Sequence, residues 1–198
     1  GSWQSPRLLG ELDGHDESWA RGINNAGYVV GRSHKAFQDH HAVLWVPNGG
    51  SFDIIDLTPG HTGSGTVDTM AEFVAELAAD GTVQVAGFQA IAGVVRSTVW
   101  TVHVDDRTVV ATRRALEARG GAEDMDADAN VLLGHSVWNP SDDVVHELPA
   151  SRNGCSVGGR AFDSFGNIYG WAEVSTKKSS NCRSDVIRVP VVWTKSGN

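Results

Sequence analysis

Short β-branched and aromatic runs alternate with polar, glycine-bearing turns along the whole chain. In "GINNAGYVVG", Gly22 to Gly31, the residues Asn24, Asn25, Ala26 and Gly27 read as a turn. Asn tolerates left-handed backbone angles, and Gly adopts them without a Cβ clash. Tyr28, Val29 and Val30 then read as a strand. The same grammar returns in "ELAADGTVQVAG" from Glu76, "DMDADANVLLG" from Asp124 and "AFDSFGNIYG" from Ala161. After each closing glycine a variable connection leads to an apolar run ending in tryptophan, at Trp45, Trp100, Trp138 and Trp193. Four copies of a two-part unit signal a repeat architecture.

Each unit predicts an inner strand ending at the turn, a second strand through the glycine, a third ending in Trp, and a fourth after it. The units occupy about 18–57, 70–116, 121–149 and 157–195, within one domain spanning 1–198. The fourth stops at "WTKSGN" without a fourth strand, whereas "RLLGEL", residues 7–12, precedes the first unit like an orphaned outer strand. The expectation is an all-β fold, a small β-propeller of four blades, each a four-stranded antiparallel sheet. Leu8 and Leu9 are expected to pair beside Val189 to Trp193, so that the N-terminal strand closes the last blade and no edge is left unpaired.

The first unit, "LLGELDGHDESWARGINNAGYVVGRS" with "HHAVLW" and "DIIDLTPG", resembles the HAF family of bacterial extracellular repeats. His41, Ala42, Val43, Leu44 and Trp45 stand in the His-Ala-Phe-Leu-Trp signature, with Val43 replacing its phenylalanine. Later units are degenerate: Ser97, Thr98 and Val99 precede Trp100, and the third unit nearly loses the connection between its second and third strands. The resemblance implies an exported, propeller-like protein and carries no general biochemical function.

Composition narrows the partners. With 198 residues, 40% of them hydrophobic, the chain can bury a full core. Its net charge of -8, with Lys and Arg scattered and Lys177–Lys178 the only lysine pair, disfavours nucleic acid. No apolar run approaches the 18 or so residues of a membrane span, so no membrane insertion is expected. Gly1 and Ser2 read as a cloning remnant, with an export signal expected upstream. Cys155 and Cys182 flank the last hairpin, and a bridge between them would suit an oxidising compartment. The alternative is two unrelated buried thiols.

The tandem tryptophans read as core between stacked units rather than as sugar platforms. Trp3, Trp19 and Trp171 break the repeat and are the candidates for exposed aromatic surface. The residue after each closing glycine is Arg32, Phe88, His135 and Trp171: four equivalent positions with side chains able to stack or hydrogen bond, or to cap neighbouring strands. "HKAFQDHH" offers His34, Asp39, His40 and His41, without the spacing of a known metal site. Asp124, Asp126, Asp128 and Asn130 alternate like the start of a calcium loop, but Ala129 and His135 stand where its glycine and bidentate glutamate belong, which favours solvated turn carboxylates.

No G-x-S-x-G, H-E-x-x-H or phosphate loop is present. The resulting expectation is a secreted binding module that recognises carbohydrate or a cell-surface glycan at pockets formed by Trp19, Arg32, Phe88, His135 and Trp171, with no cofactor. One alternative is a hydrolase or lyase using Glu76, Asp124 or His135 at a channel mouth. Another is a protein-interaction scaffold.

Overall fold

The computed structural model describes residues 5–35, 38–59, 68–91, 94–119, 121–150, 155–175 and 186–195. Among these the chain is all-β and contains no helix. The first sheet holds β1 (Glu17–Ile23), β2 (Val29–Lys35), β3 (Gln38–Asn48) and β4 (Ser51–Asp56) in that order. The second holds β5 (Thr69–Val74), β6 (Thr82–Ile91), β7 (Val94–His103) and β8 (Thr108–Arg119). The third is short, with β9 (Asp124–Met125), β10 (Val131–Leu132), β11 (Ser136–Asn139) and β12 (Val144–Glu147). The fourth has three strands, β13 (Val157–Phe162), β14 (Ile168–Ser175) and β15 (Val186–Trp193). Every named strand pair is antiparallel.

One turn opens all four second strands. The backbone N–H of Asn24, Ala78, Asp126 and Asp163 donates to the carbonyl four residues on, at 2.8–3.1 Å. The residue before the closing position has positive φ in each: Gly27 (84°), Gly81 (80°), Ala129 (61°) and Gly166 (78°). In the third and fourth copies an aspartate side chain completes the turn, Asp126 accepting from Asn130 and Asp163 from Asn167. Only the third copy places a Cβ in the left-handed region, at a cost that glycine escapes.

The closing glycines have a different reason. The inner strands bulge at Arg21, Glu72 and Arg160, where the register slips by one residue. The carbonyl oxygens of Trp19, Met70 and Gly158 then lie where a Cβ on Gly31, Gly87 or Gly170 would stand. In the third unit Gly134 instead sits in a tight turn at φ 78°, so β10 and β11 follow one another almost directly.

The sheets pack in sequence. Val30, Ala42 and Leu44 of the first meet Ala71, Val85 and Trp100 of the second in one buried cluster. Ala86 and Val99 of the second meet Val131, Leu133 and Trp138 of the third. Leu132 and Leu148 of the third meet Ile168 of the fourth, with Phe162 and Trp193 beside them. Of the repeated tryptophans, Trp45 and Trp100 are fully buried and Trp138 nearly so.

The N-terminal segment departs from expectation. Residues 5–12 form no strand, and β15 pairs with β14 alone, so the fourth sheet is not completed by Leu8 and Leu9. Leu9 and Leu12 cover the far face of the first sheet, against Val29, Val43, Trp45, Phe52 and Ile54, while Leu8 is exposed. Two forces take the segment there. The first sheet presents an apolar face with no preceding sheet among the described residues, and the buried Trp45 indole needs an acceptor, which Gly10 O supplies at 3.1 Å. No core cluster of the described residues joins the fourth sheet to the first.

Two substitutions should move stability in opposite directions. Gly31→Ala forces a methyl group into the Trp19 carbonyl and should cost about 3 kcal/mol. Ala129→Gly relieves the left-handed strain and should gain about 0.5–1 kcal/mol. Urea denaturation of both variants checks the pair; equal effects would contradict the repeat geometry.

Candidate functional site

The position after each closing glycine faces the connection that leads into the next sheet. Arg32 on β2 reaches Asp68, just before β5, at 3.1 Å. Phe88 on β6 lies against Gly121, just before β9. His135, exposed at the β10–β11 turn, lines a cleft of about 340 Å³ with Glu147, Cys155 and Ser156, just before β13. Trp171 on β14 has no following sheet among the described residues. Its indole rests against Gly158, where a Cβ would collide with the ring, and Arg188 lies 4.3 Å from its centroid. The four positions are therefore spread along the array rather than gathered in one pocket.

The densest polar cluster is at the junction of the first two sheets. Trp19 and Arg32 are cross-strand partners on the face toward the second sheet, and the guanidinium sits 4.2 Å from the indole centroid. Trp19 remains 47% exposed. Asp68 Oδ1 accepts from Arg32 Nη1 at 3.1 Å and faces His40 Nδ1 at 3.0 Å. Thr69 Oγ1 donates to the His40 carbonyl and fastens the start of β5 beneath the cluster. The Arg32 side chain is 11% exposed and that of Asp68 50%, so a nearly buried cation carries a carboxylate half open to solvent. Arg32 Nε and His40 Nε2 are buried without a hydrogen-bond partner among the described residues. Next to them His34 is fully buried, 4.8 Å from the His40 ring and 3.3 Å from Glu17 Oε2.

A second histidine pair occupies the opposite face of the same sheet end. His41 Nδ1 lies 2.8 Å from Asp56 Oδ2, and the His15 ring stands edge-on 5.2 Å away. His15 Nδ1 meets Ser33 Oγ at 2.9 Å, and Ser33 Oγ also accepts from Leu12 N, which ties the N-terminal segment down. His15, His41 and Asp56, with Glu11, Asp13 and Phe52, border a cleft of about 520 Å³. Sequence spacing indicated His34, His40 and His41, but not His15, which the chain brings in from outside the motif.

Other candidates are separated and engaged. Glu76 Oε1 accepts from the backbone and side chain of Asn25, binding the second unit's turn to the first. Asp124 Oδ2 accepts from Phe162 N, binding the third sheet to the fourth. The two carboxylates thus serve different junctions. Asp126 closes its own turn and Asp128 pairs with Lys195 at 3.2 Å, so Asp124, Asp126 and Asp128 do not converge on one point. Among the described residues no group of three or more His, Cys, Asp or Glu is placed to hold a metal ion. Cys155 is buried, no free cysteine occurs among the described residues, and Cys182 and Trp3 lie outside them.

A charged row runs along the inner strands and the residue before β9. Its members are the bulged residues Arg21, Glu72 and Arg160, together with Glu123. Glu123 meets Arg160 at 2.7 Å. Burial pushes the Glu72 carboxyl above the usual carboxylate range, and Glu123 adds to the effect against the opposing pull of Arg21.

No protein-family model matches the chain, and no curated protein matches it.

The histidines make the first sheet sensitive to acid. Burial lowers the pKa of His34 and of His15 below the ordinary 6.5, helped by His40 and His41 respectively. The folded state then binds protons less readily than the unfolded chain, so this stability is complete above pH 6.5 and drains as the pH falls below it. Urea midpoints at pH 7.5 and about 5 should show the loss, and His34→Gln should shrink it. An unchanged pH slope in that variant would remove His34 as a cause.

Proposed function

We propose that this chain is a secreted carbohydrate-binding module, built as a propeller-like array of HAF-type repeats, whose saccharide site is the junction of Trp19, Arg32, His40 and Asp68. The observation that supports it most is the pairing of a half-exposed indole with a half-exposed carboxylate held by a nearly buried arginine. Sugar recognition needs both parts: an apolar ring to cover the C–H face of a pyranose, and a fixed acceptor for its hydroxyls. Asp68 Oδ1 is occupied by Arg32 and His40, and Oδ2 has no partner among the described residues. Arg32 holds that carboxylate in place at little further entropic cost on binding.

No core cluster of the described residues joins the fourth sheet to the first, which suits a binding surface better than a central reaction chamber. Its partner on this reading is a glycan of a cell surface or matrix, reached outside the producing cell. Export also explains a cysteine pair around the last hairpin, and a Cys155–Cys182 bridge would stabilise the fourth unit by about 3 kcal/mol through loop closure.

A glycan array with the wild-type chain and Trp19→Ala tests the site. The wild type should retain a saccharide class, and the variant should bind it about tenfold more weakly, a loss of about 1.4 kcal/mol. Absence of any saccharide binding, with specific capture of a protein instead, would overturn the reading. Thiol titration of denatured, unreduced protein from an oxidising compartment should find no free thiol; two would remove the bridge.

A further inference from the structure

The packing between the third and fourth sheets opens into a cleft of about 190 Å³, and the side chains around it depart from the repeat. Trp45 and Trp138 are equivalent, each opposite a valine of the second strand, Val29 or Val131. One step beyond that pair the first sheet has Tyr28 and Val46, with Ile55 on the neighbouring outer strand, all packed against the second sheet. The third sheet has Asn130, Asn139 and His146 at these positions. In the second sheet the first two are Gln84 and Thr101, and Thr101 Oγ1 donates to Gln84 Oε1 at 3.0 Å, so the two side chains engage each other. Asn130 and Asn139 bond elsewhere.

We infer that this cleft is a second saccharide site, and that it takes one neutral hexose unit by a vicinal pair of hydroxyls. The inference rests on the carbohydrate reading above and adds a place and a ligand class to it. Asn130 is 6% exposed. Its Nδ2 donates to Asp126 Oδ2 at 2.8 Å, which orients the amide, and its Oδ1 is an acceptor with no partner among the described residues. Asn139 is held the other way round. Its Oδ1 accepts from Ser141 N at 2.8 Å and from Ser141 Oγ at 2.7 Å, and its Nδ2 is a donor with no partner among the described residues. Alternation along the strands sends both side chains toward the fourth sheet, since Val131 and Trp138 pack on the second. One acceptor and one donor therefore stand side by side on neighbouring strands, about 5 Å apart at Cβ. A hydroxyl both donates and accepts, so adjacent sugar hydroxyls fit this pair, one donating to Asn130 and the other accepting from Asn139.

The rest of the cleft fits the same ligand. Val137, Phe162, Ile168 and Trp193 give it an apolar floor, and Trp193 Nε1 donates to the Pro149 carbonyl at 3.2 Å, which fixes the ring. Such a floor covers the C–H face of a pyranose. The charged side chains that line the cleft are engaged: Asp126 within its own turn, His146 with Asp142 at 2.8 Å and Lys195 with Asp128 at 3.2 Å. A neutral ligand therefore meets no charge that it must neutralise. The volume lies below the roughly 300 Å³ at which drug-sized pockets begin, which suits one sugar unit rather than a length of chain.

Nitrogen–proton titration of the isotope-labelled full chain tests the inference, with methyl glucopyranoside and with trans-1,2-cyclohexanediol, the bare vicinal pair on an apolar ring. The Trp193 indole signal should shift with both, and cyclohexanol, which keeps the ring and one hydroxyl, should bind at least tenfold more weakly. Asn139→Val restores the residue type that Val46 supplies in the first sheet and removes the donor, so it should weaken both ligands at least tenfold. Val137→Phe, which fills the cleft and keeps both amides, should do the same while the thermal melt stays at the wild-type temperature. Trp19→Ala should lose the array ligand and keep the Trp193 response; loss of both would merge the two sites into one and overturn the second. A wild-type chain that binds its array ligand through Trp19, yet shows no Trp193 shift with either probe, would overturn this site and leave the first standing. Equal binding of cyclohexanol, or full binding by the two cleft variants, would also overturn it.

Discussion

Backbone meets backbone at the closing glycines, and the positions of the side chains that follow them depend on that contact. At Gly31, Gly87 and Gly170 the neighbouring inner strand comes so close that its carbonyl fills the space of a Cβ. The approach is possible because the inner strand bulges there, and the bulge has two effects at once. It turns the extra residue, Arg21, Glu72 or Arg160, away from the ladder, and it sets the register of the next pair along the strands. In the first sheet that next pair is Trp19 and Arg32; in the fourth it is Gly158 and Trp171. A repeat constraint on the backbone thereby places non-repeating side chains at equivalent points.

The same economy governs how the sheets associate. Aliphatic faces do the packing, and polar groups are added at the ends of the strands, where Arg32 reaches Asp68, Asn25 reaches Glu76 and Asp124 reaches Phe162 N. Each of these links crosses a junction between sheets, so carboxylates that look available in isolation are spent on holding neighbours in register. At the two ends of the array the solutions differ. The first sheet is covered by Leu9 and Leu12, whereas the fourth leaves Tyr169 and Val192 to solvent.

Much of this was legible in the residues. Turn positions followed from Asn24, Gly27, Gly81 and Gly166, because few side chains accept a left-handed backbone, and the tryptophans marked the third strands. The third unit shows its turn in "DMDADAN", with Ala129 at the left-handed position, but its Gly134 serves a tight turn instead of a close approach, which its place in the repeat does not reveal. The destination of residues 7–12 was not legible: the leucines at 8, 9 and 12 say that a face must be covered, but not which one, and the Trp45 indole that captures Gly10 lies 35 residues away. Arg32 and Asp68 are likewise 36 residues apart, so only the fold reveals their union.

The seven tryptophans offer a direct readout, because each indole N–H gives its own nitrogen–proton correlation signal. Titration of isotope-labelled protein with the bound saccharide should shift the signal of Trp19 and leave those of the buried Trp45, Trp100 and Trp138 in place. Shifts confined to the buried indoles, or none at Trp19 under saturating ligand, would contradict the assignment of binding to the junction that the glycine contacts arrange.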